Sequence, residues 1–505
     1  MYKQTSDYVF TGEPPGKKRQ LFGVSAVTLL LLVASLAGYV FIGYFLSRED
    51  FILFASVYLV LFAAYIYFLN QDSWHRQNIN EHLSGKEHSP ETTAILLNRK
   101  SGLKLLLNAA ILFRLLFLFS IPSLSEDYLR FIWDGALWIK GVNPYSVLPS
   151  MHLLSITKQD PYLLNLYAGM NSPGYFSVYP PVCQFTFALA VKLFPADMRG
   201  SVIVLHLICI AAEAGTIYLL QKILSHFNLP KKNVLLYALN PLIIIELGGN
   251  IHFEAVMIFF IVLAAYMFIQ YEKRSDRMLQ EFKHSRKTGY REFVFSAIAF
   301  ALAIGTKLIP LIFLPFLIWR LRWKRSIFYF SIIALSLFIL FLPFLNPSLI
   351  SQFSSSVNLY FQKFEFNAGI FYLIREAGFH WKGHDVIQTA GPWLASITFF
   401  CILLLTATEK NPSWNKFFLS MQWALTIYLM LSTTVHPWYI TTLVMLSVIT
   451  GYRYPVIWSL LIAFTYAAYQ TTPYQEQLWL VALEYGAVIT VLLIEIYNWR
   501  KMQSV

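Results

Sequence analysis

Apolar runs about as long as a bilayer is thick recur along this chain. Residues 21–46, 51–69, 105–121, 202–220, 327–345, 388–405 and 478–496 are the clearest of them. A helix needs roughly 20 such residues to cross the hydrocarbon. In lipid, only helices and closed barrels satisfy every backbone polar group. The runs are continuous, without the apolar–polar alternation of a barrel strand, so an all-α polytopic membrane protein is expected. Applied along the whole chain, the length rule gives about 12 to 14 transmembrane helices.

The charges fit that reading. Only 13% of residues are charged, about half the share usual in soluble domains. The net charge of +12 is gathered at the ends of apolar runs. Lys273, Arg274, Arg277, Lys283, Arg286, Lys287 and Arg291 crowd one loop, and others lie at Lys17-Lys18-Arg19, across residues 320–325 and at Arg500-Lys501. This is the positive-inside pattern, a mark of topology and not of a nucleic-acid partner. Cys183, Cys209 and Cys401 lie in apolar segments without metal-ligand spacing or a disulfide framework. The first run is too long for a signal-peptide core and lacks a small-residue cleavage site, so it reads as a retained anchor.

With the basic N-terminal segment in the cytoplasm, residues 21–46 cross out and 51–69 cross back. The loop 70–104 is then cytoplasmic, and 105–121 cross out again. This delivers Ser125-Glu126-Asp127-Tyr128-Leu129-Arg130-Phe131-Ile132-Trp133-Asp134-Gly135 and Gly141-Val142-Asn143-Pro144-Tyr145 to the outer face, at the head of a long loop. Residues 178–194 and 202–220 cannot both cross if Lys222 to Lys232 are cytoplasmic. The first of them, which opens on Tyr179-Pro180-Pro181, is expected to be re-entrant. Residues 293–319 are too few for two full spans. They read as two short helices meeting at Gly305-Thr306-Lys307-Leu308-Ile309-Pro310. Asn250, His252 and Glu254, the 364–375 loop with Arg375, and His436-Pro437-Trp438-Tyr439 fall on or near the same outer face.

Ionisable groups at a membrane exit are costly and point to function. Asp127 and Asp134 are seven apart, on one helical face, and Arg130 is placed to pair with both. A carboxylate within reach of an attacking hydroxyl serves as a general base. The competing reading is an interfacial helix with internal ion pairs, anchored at the headgroups by Trp133 and Trp138. Lys307 at a break between half-helices suits a phosphate; the alternative is snorkelling. Asn250, His252, Glu254 and His436 are candidates for sugar hydroxyls or phosphate, against structural roles in polar turns. Glu213 and Glu246 read as paired inside the bundle. There is no phosphate loop and no zinc spacing, so a sugar donor would arrive by way of the membrane.

Taken in order, the 125–135 and 141–145 motifs, Tyr179-Pro180-Pro181, Asn240-Pro241-Leu242 with Gly249 to His252, Gly305 to Pro310, and His436 to Tyr439 resemble bacterial polyprenyl-phosphate-mannose-dependent mannosyltransferases of the GT-C fold, and more distantly GPI mannosyltransferase I. The resemblance spans residues 105–450, a GT-C-like catalytic core. Residues 1–104 would form an N-terminal segment, hairpin and basic loop, and 451–505 the C-terminal helices. It implies a multi-pass enzyme of the bacterial inner membrane, with interfacial helices in the first large outer loop and an active site facing the periplasm or exterior. It implies transfer of a hexose, mannose by the family, from a polyprenyl-phosphate donor to a lipid or glycan acceptor with inversion, and no metal or other cofactor. Asp127 would be the base, with Asp134 and Glu126 as further catalytic candidates. Arg130, Lys307, His252 and Arg375 would be candidates for the donor phosphate. Asn143, Tyr145, Tyr179, Asn250, Glu254, His436 and Trp438 would contact substrate. The family commonly has Asp where Glu254 stands, and an Asp-Asp pair where Glu126-Asp127 stand. The alternative class is a carrier or flippase for lipid-linked glycans, for which repeated broken helices with internal symmetry are expected. The chain shows one broken pair and no matching second half.

Overall fold

The computed structural model describes residues 25–82, 90–152, 160–280, 290–409, 413–471 and 473–503. Lys17, Lys18, Arg19, Lys86, Lys283, Arg286 and Lys287 lie outside them. The described chain is almost wholly helical, and its sole strand-like feature is an isolated bridge between Phe366 and Thr434. Among the described residues, seven helical stretches are long and apolar enough to cross a membrane: Ala26–Tyr44, Phe51–Asn70, Met198–His226, Glu254–Ser275, Ile309–Phe344, Ile387–Thr408 and Leu478–Lys501.

Other runs fold as shorter or interrupted helices, and each interruption has a local cause. The run 234–247 breaks at Asn240-Pro241. The Asn240 side chain accepts from the N–H groups of Leu242 and Ile243, capping a new start, and a π-helical turn follows over Ile244–Gly249. Residues 178–194 yield only the 13-residue helix Pro181–Leu193, too short for hydrocarbon about 30 Å thick. The expected half-helices appear as Tyr290–Ile304 and the stretch that begins at Ile309, with Lys307 in the turn between. That second stretch kinks at Arg322, whose φ of 63° and ψ of 156° interrupt the helix within the basic cluster.

Buried charges tie the bundle together. Arg114 donates from Nε and Nη2 to Glu213 Oε2 at 3.0 and 2.8 Å, and from Nη1 to the carbonyls of Ala110 and Ala238 at 2.8 and 2.7 Å. Tyr237 donates to the other Glu213 oxygen. Three segments are thereby joined, and nearly every polar atom of the pair is satisfied, as an interior charge requires.

The segment that follows residue 121 carries the helix Asp127–Ile139, here the motif helix. It packs against Pro181–Leu193 so closely that a Cβ on Gly135 would lie 2.5 Å from the Phe187 carbonyl oxygen. Phe131 stacks on Phe187 with centroids 4.6 Å apart. Trp133 is fully buried and Trp138 packs between Phe185 and Phe344. This corrects the headgroup-anchoring alternative: both indoles are held by protein, because the motif helix is a packed element of the bundle.

Candidate active site

The motif helix begins one residue after Glu126, so Asp127 stands in its first turn. Its carboxylate is half-buried. Asn171 Nδ2 donates to one oxygen at 3.1 Å and the Tyr179 hydroxyl to the other at 3.3 Å. Asp134, two turns on, is fully enclosed. It accepts from Arg130 Nε at 2.8 Å, Ser177 Oγ at 2.5 Å and Gln184 Nε2 at 3.1 Å. Arg130 also donates to the carbonyls of Ser172 and Tyr175 at 3.1 and 3.0 Å. It therefore binds the segment that carries Asn171 to the motif helix. Of the pair expected to share Arg130, only Asp134 is held by it; Asp127 is left to Asn171 and Tyr179. Glu126 is exposed and faces Arg48 at 3.3 Å.

The Tyr-Pro-Pro segment delivers Tyr179 because Pro180 and Pro181 start the next helix. The N-terminus of that helix meets the lysine turn: Val182 N–H donates to the Gly305 carbonyl at 2.9 Å, and Cys183 Sγ lies 3.2 Å from the Thr306 carbonyl. The turn is thus clamped, and Lys307 projects with its Nζ 5.5 Å from the Tyr179 ring centroid and 3.2 Å from Glu254 Oε1. Glu254 is fully buried, and neither of its oxygens accepts a hydrogen bond among the described residues.

Next to Glu254, His252 is buried. Its Nε2 has no hydrogen-bond partner among the described residues, though it lies 3.3 Å from Glu246 Oε2. Glu246 is held by Tyr466 at 2.8 Å and Asn250 at 3.2 Å. Ile251, between Asn250 and His252, has φ at 59°, a strained value for a β-branched residue. That strain lies between the two polar residues Asn250 and His252 and beside a π-turn, and both features gather at functional sites.

His252 stacks on Trp438 at 3.6 Å, Trp438 on His436 at 4.4 Å, and His436 on Phe366 at 4.9 Å. The protein packed around His436 pushes its imidazole down to about 3, so this ring acts as a neutral aromatic surface near pH 7. Phe366 is fixed by backbone bonds to Thr433 and Val435, which bring the 364–375 loop onto the column.

The remaining candidates stand farther from this group. Buried Tyr145 donates to the Tyr179 carbonyl at 2.6 Å and so braces the Tyr-Pro-Pro segment, while Asn143 donates to the Phe344 carbonyl at 2.8 Å and accepts from the Tyr145 N–H at 3.0 Å. Arg375 pairs with Glu365 and lies over the Tyr372 ring, within its own loop. Sequence reasoning missed Asn171, Arg48 and Tyr469, on which Arg48 lies. Among the described residues no group of three His, Cys, Asp or Glu side chains is arranged to hold a metal ion.

The geometry joins a half-buried carboxylate, a cation beside a buried acid and an aromatic column at one end of a membrane bundle. Residues 21–322 match a family model described as "Alpha-(1->6)-mannopyranosyltransferase, N-terminal domain". The chain belongs to the alpha-(1->6)-mannopyranosyltransferase family. It is a membrane-embedded sugar transferase, and its all-helical bundle is of the GT-C type. The match takes in the hairpin before residue 105 and ends at the Arg322 kink, so Asp127, Tyr179, Glu254 and Lys307 lie within it while His436 and Trp438 lie beyond. No curated protein and no solved structure matches the chain.

Proposed function

We propose that this transferase moves a hexose, mannose by its family, from a polyprenyl-phosphate donor to a lipid or glycan acceptor, with inversion, on the extracytoplasmic side of a bacterial inner membrane. The observation that carries the reading is Tyr179. Its hydroxyl donates to Asp127 while Lys307 stands over its ring, so a base and a phosphate-binding cation meet on one side chain.

In the reaction, the acceptor oxygen attacks the anomeric carbon and its proton passes to Asp127. The bond from the anomeric carbon to the phosphate oxygen breaks with its electron pair left on phosphate. Lys307, fixed beside Glu254, offsets that growing charge. Attack from the side opposite the leaving phosphate inverts the centre. Glu254 Oε2, the oxygen not facing Lys307, can accept from a sugar hydroxyl, His252 Nε2 is available to a hydroxyl or to phosphate, and the His252–Trp438–His436 column offers an apolar face to the sugar ring. Asp134, Arg130, Asn143 and Tyr145 hold these groups in place.

Membranes containing the protein, supplied with radiolabelled polyprenyl-phosphate mannose, are expected to transfer label to an acceptor. Movement of label between leaflets without transfer would instead establish a carrier. Topology has its own test. Gly174 is exposed, with open space around its Cβ. In a background where Cys401 is replaced by Ser, Gly174→Cys should react with a membrane-impermeant thiol reagent on intact cells. Lys231→Cys, exposed in the expected cytoplasmic segment, should react only after opening. The reverse pattern would overturn the outward-facing site.

A further inference from the structure

Arg48 lies in the turn between the first two helices, Ala26–Tyr44 and Phe51–His82. If the N-terminus is cytoplasmic, that turn is on the outer face, where the positive-inside rule disfavours a cation. Its guanidinium is laid on the Tyr469 ring, Cζ 3.4 Å from the centroid, and its Nη1 is 3.3 Å from Glu126 Oε1. The side chain is 20% exposed, and its buried Nε has no hydrogen-bond partner among the described residues. Tyr469 in turn packs on Phe366 with ring centroids 6.0 Å apart, and Phe366 on His436 at 4.9 Å, so Arg48 borders the aromatic column, while its partner Glu126 is the neighbour of Asp127 in the chain. Phe45 and Ile52, on either side of the turn, are 73% and 74% exposed, an apolar surface suited to lipid.

We infer that Arg48 is the second cation of the donor-phosphate site, held in place by Tyr469 and Glu126 until the lipid phosphate arrives. The inference rests on the proposed phosphate-linked donor and adds the residue that meets it at the membrane edge. When the anomeric carbon–oxygen bond breaks, the phosphate passes from one negative charge to two. Lys307 supplies one cation. Arg130 is committed to Asp134 and two carbonyls, and Arg375 to Glu365. Among the described residues the one anion paired with Arg48 is the half-exposed Glu126 carboxylate, a weak kind of pair. Stacking on Tyr469 fixes the plane of the guanidinium and leaves its edge for bidentate contact with phosphate oxygens. A lipid-borne phosphate sliding along the exposed hairpin would displace Glu126 and take its place.

The test uses the full-length protein with polyprenyl-phosphate mannose as donor and polyprenyl phosphate as product inhibitor. Arg48→Gln should raise donor KM by about tenfold or more and weaken product inhibition by a similar factor, with acceptor KM unchanged. Arg48→Lys should recover part of both. Glu126→Gln, which releases Arg48, should lower donor KM. Added polyprenyl phosphate should raise the melting temperature of the starting protein more than that of Arg48→Gln. Unchanged donor KM and product inhibition in Arg48→Gln would overturn the inference. So would equal losses in Arg48→Gln and Glu126→Gln, the mark of a structural pair. If the unsubstituted protein neither transfers from nor binds the polyprenyl-phosphate probe, the functional reading itself fails, and this inference with it.

Discussion

Asp127→Asn is expected to lower turnover by about 10²–10⁴-fold, the usual contribution of a general base, with protein level and donor KM near their starting values. The local hydrogen bonds survive the exchange. The asparagine carbonyl still accepts from Asn171, and the Tyr179 hydroxyl reverses its role and accepts from the new amide. What is lost is a site for the acceptor's proton. Asp134→Asn is the contrasting variant. Three donors converge on that enclosed carboxylate, Arg130 among them. Its removal leaves a buried guanidinium without its anion, a loss of about 3–5 kcal/mol. It should therefore appear as reduced protein or melting temperature. Steady-state transfer and a melting curve on the two variants separate the assignments. Near-normal turnover in Asp127→Asn would eliminate Asp127 as the base.

The part of the molecule legible in the sequence is the part set by the bilayer and by chain-local chemistry. The uninterrupted apolar runs required helices, and the structure has them. Pro180-Pro181 and Gly305 to Pro310 announced breaks, because proline lacks an N–H and restricts the residue before it. The family resemblance, carried by motifs in fixed order, is borne out by the match over residues 21–322. Contacts between segments distant in sequence were not legible. Spacing let Arg130 pair with either aspartate, and only the fold, by bringing Ser177 and Gln184 alongside, draws it to Asp134. The tryptophans of the motif helix read as headgroup anchors, and the sequence does not separate that use from packing inside protein, since both favour a large amphipathic ring. Asn171 and Tyr469 carried no signal, being ordinary residues in polar or aromatic surroundings. Arg48 did carry one: a cation on the side where the expected topology disfavours it.

Lys307 should show the second large effect, and its test has to account for Glu254. A cation fixed in advance where negative charge grows is typically worth about 10²–10³-fold in kcat. Lys307→Met preserves the bulk of the stem but strips the ammonium from a carboxylate that is fully buried and accepts no hydrogen bond among the described residues. An uncompensated buried charge costs about 3–5 kcal/mol, so the single variant is expected to lose both activity and protein. Lys307→Met combined with Glu254→Gln removes both charges and should restore the protein level, while kcat/KM stays lower by about 10²-fold or more. Lys307→Arg keeps the charge but presents a broader, flatter group to a turn clamped by Val182 and Cys183, and should recover activity only in part. The decisive comparison is the double variant against the starting protein at matched protein level. If its kcat/KM and donor KM were unchanged, Lys307 and Glu254 would be no more than a self-neutralising pair at the break of two half-helices. The phosphate would then have to be met by Arg48 and His252 alone.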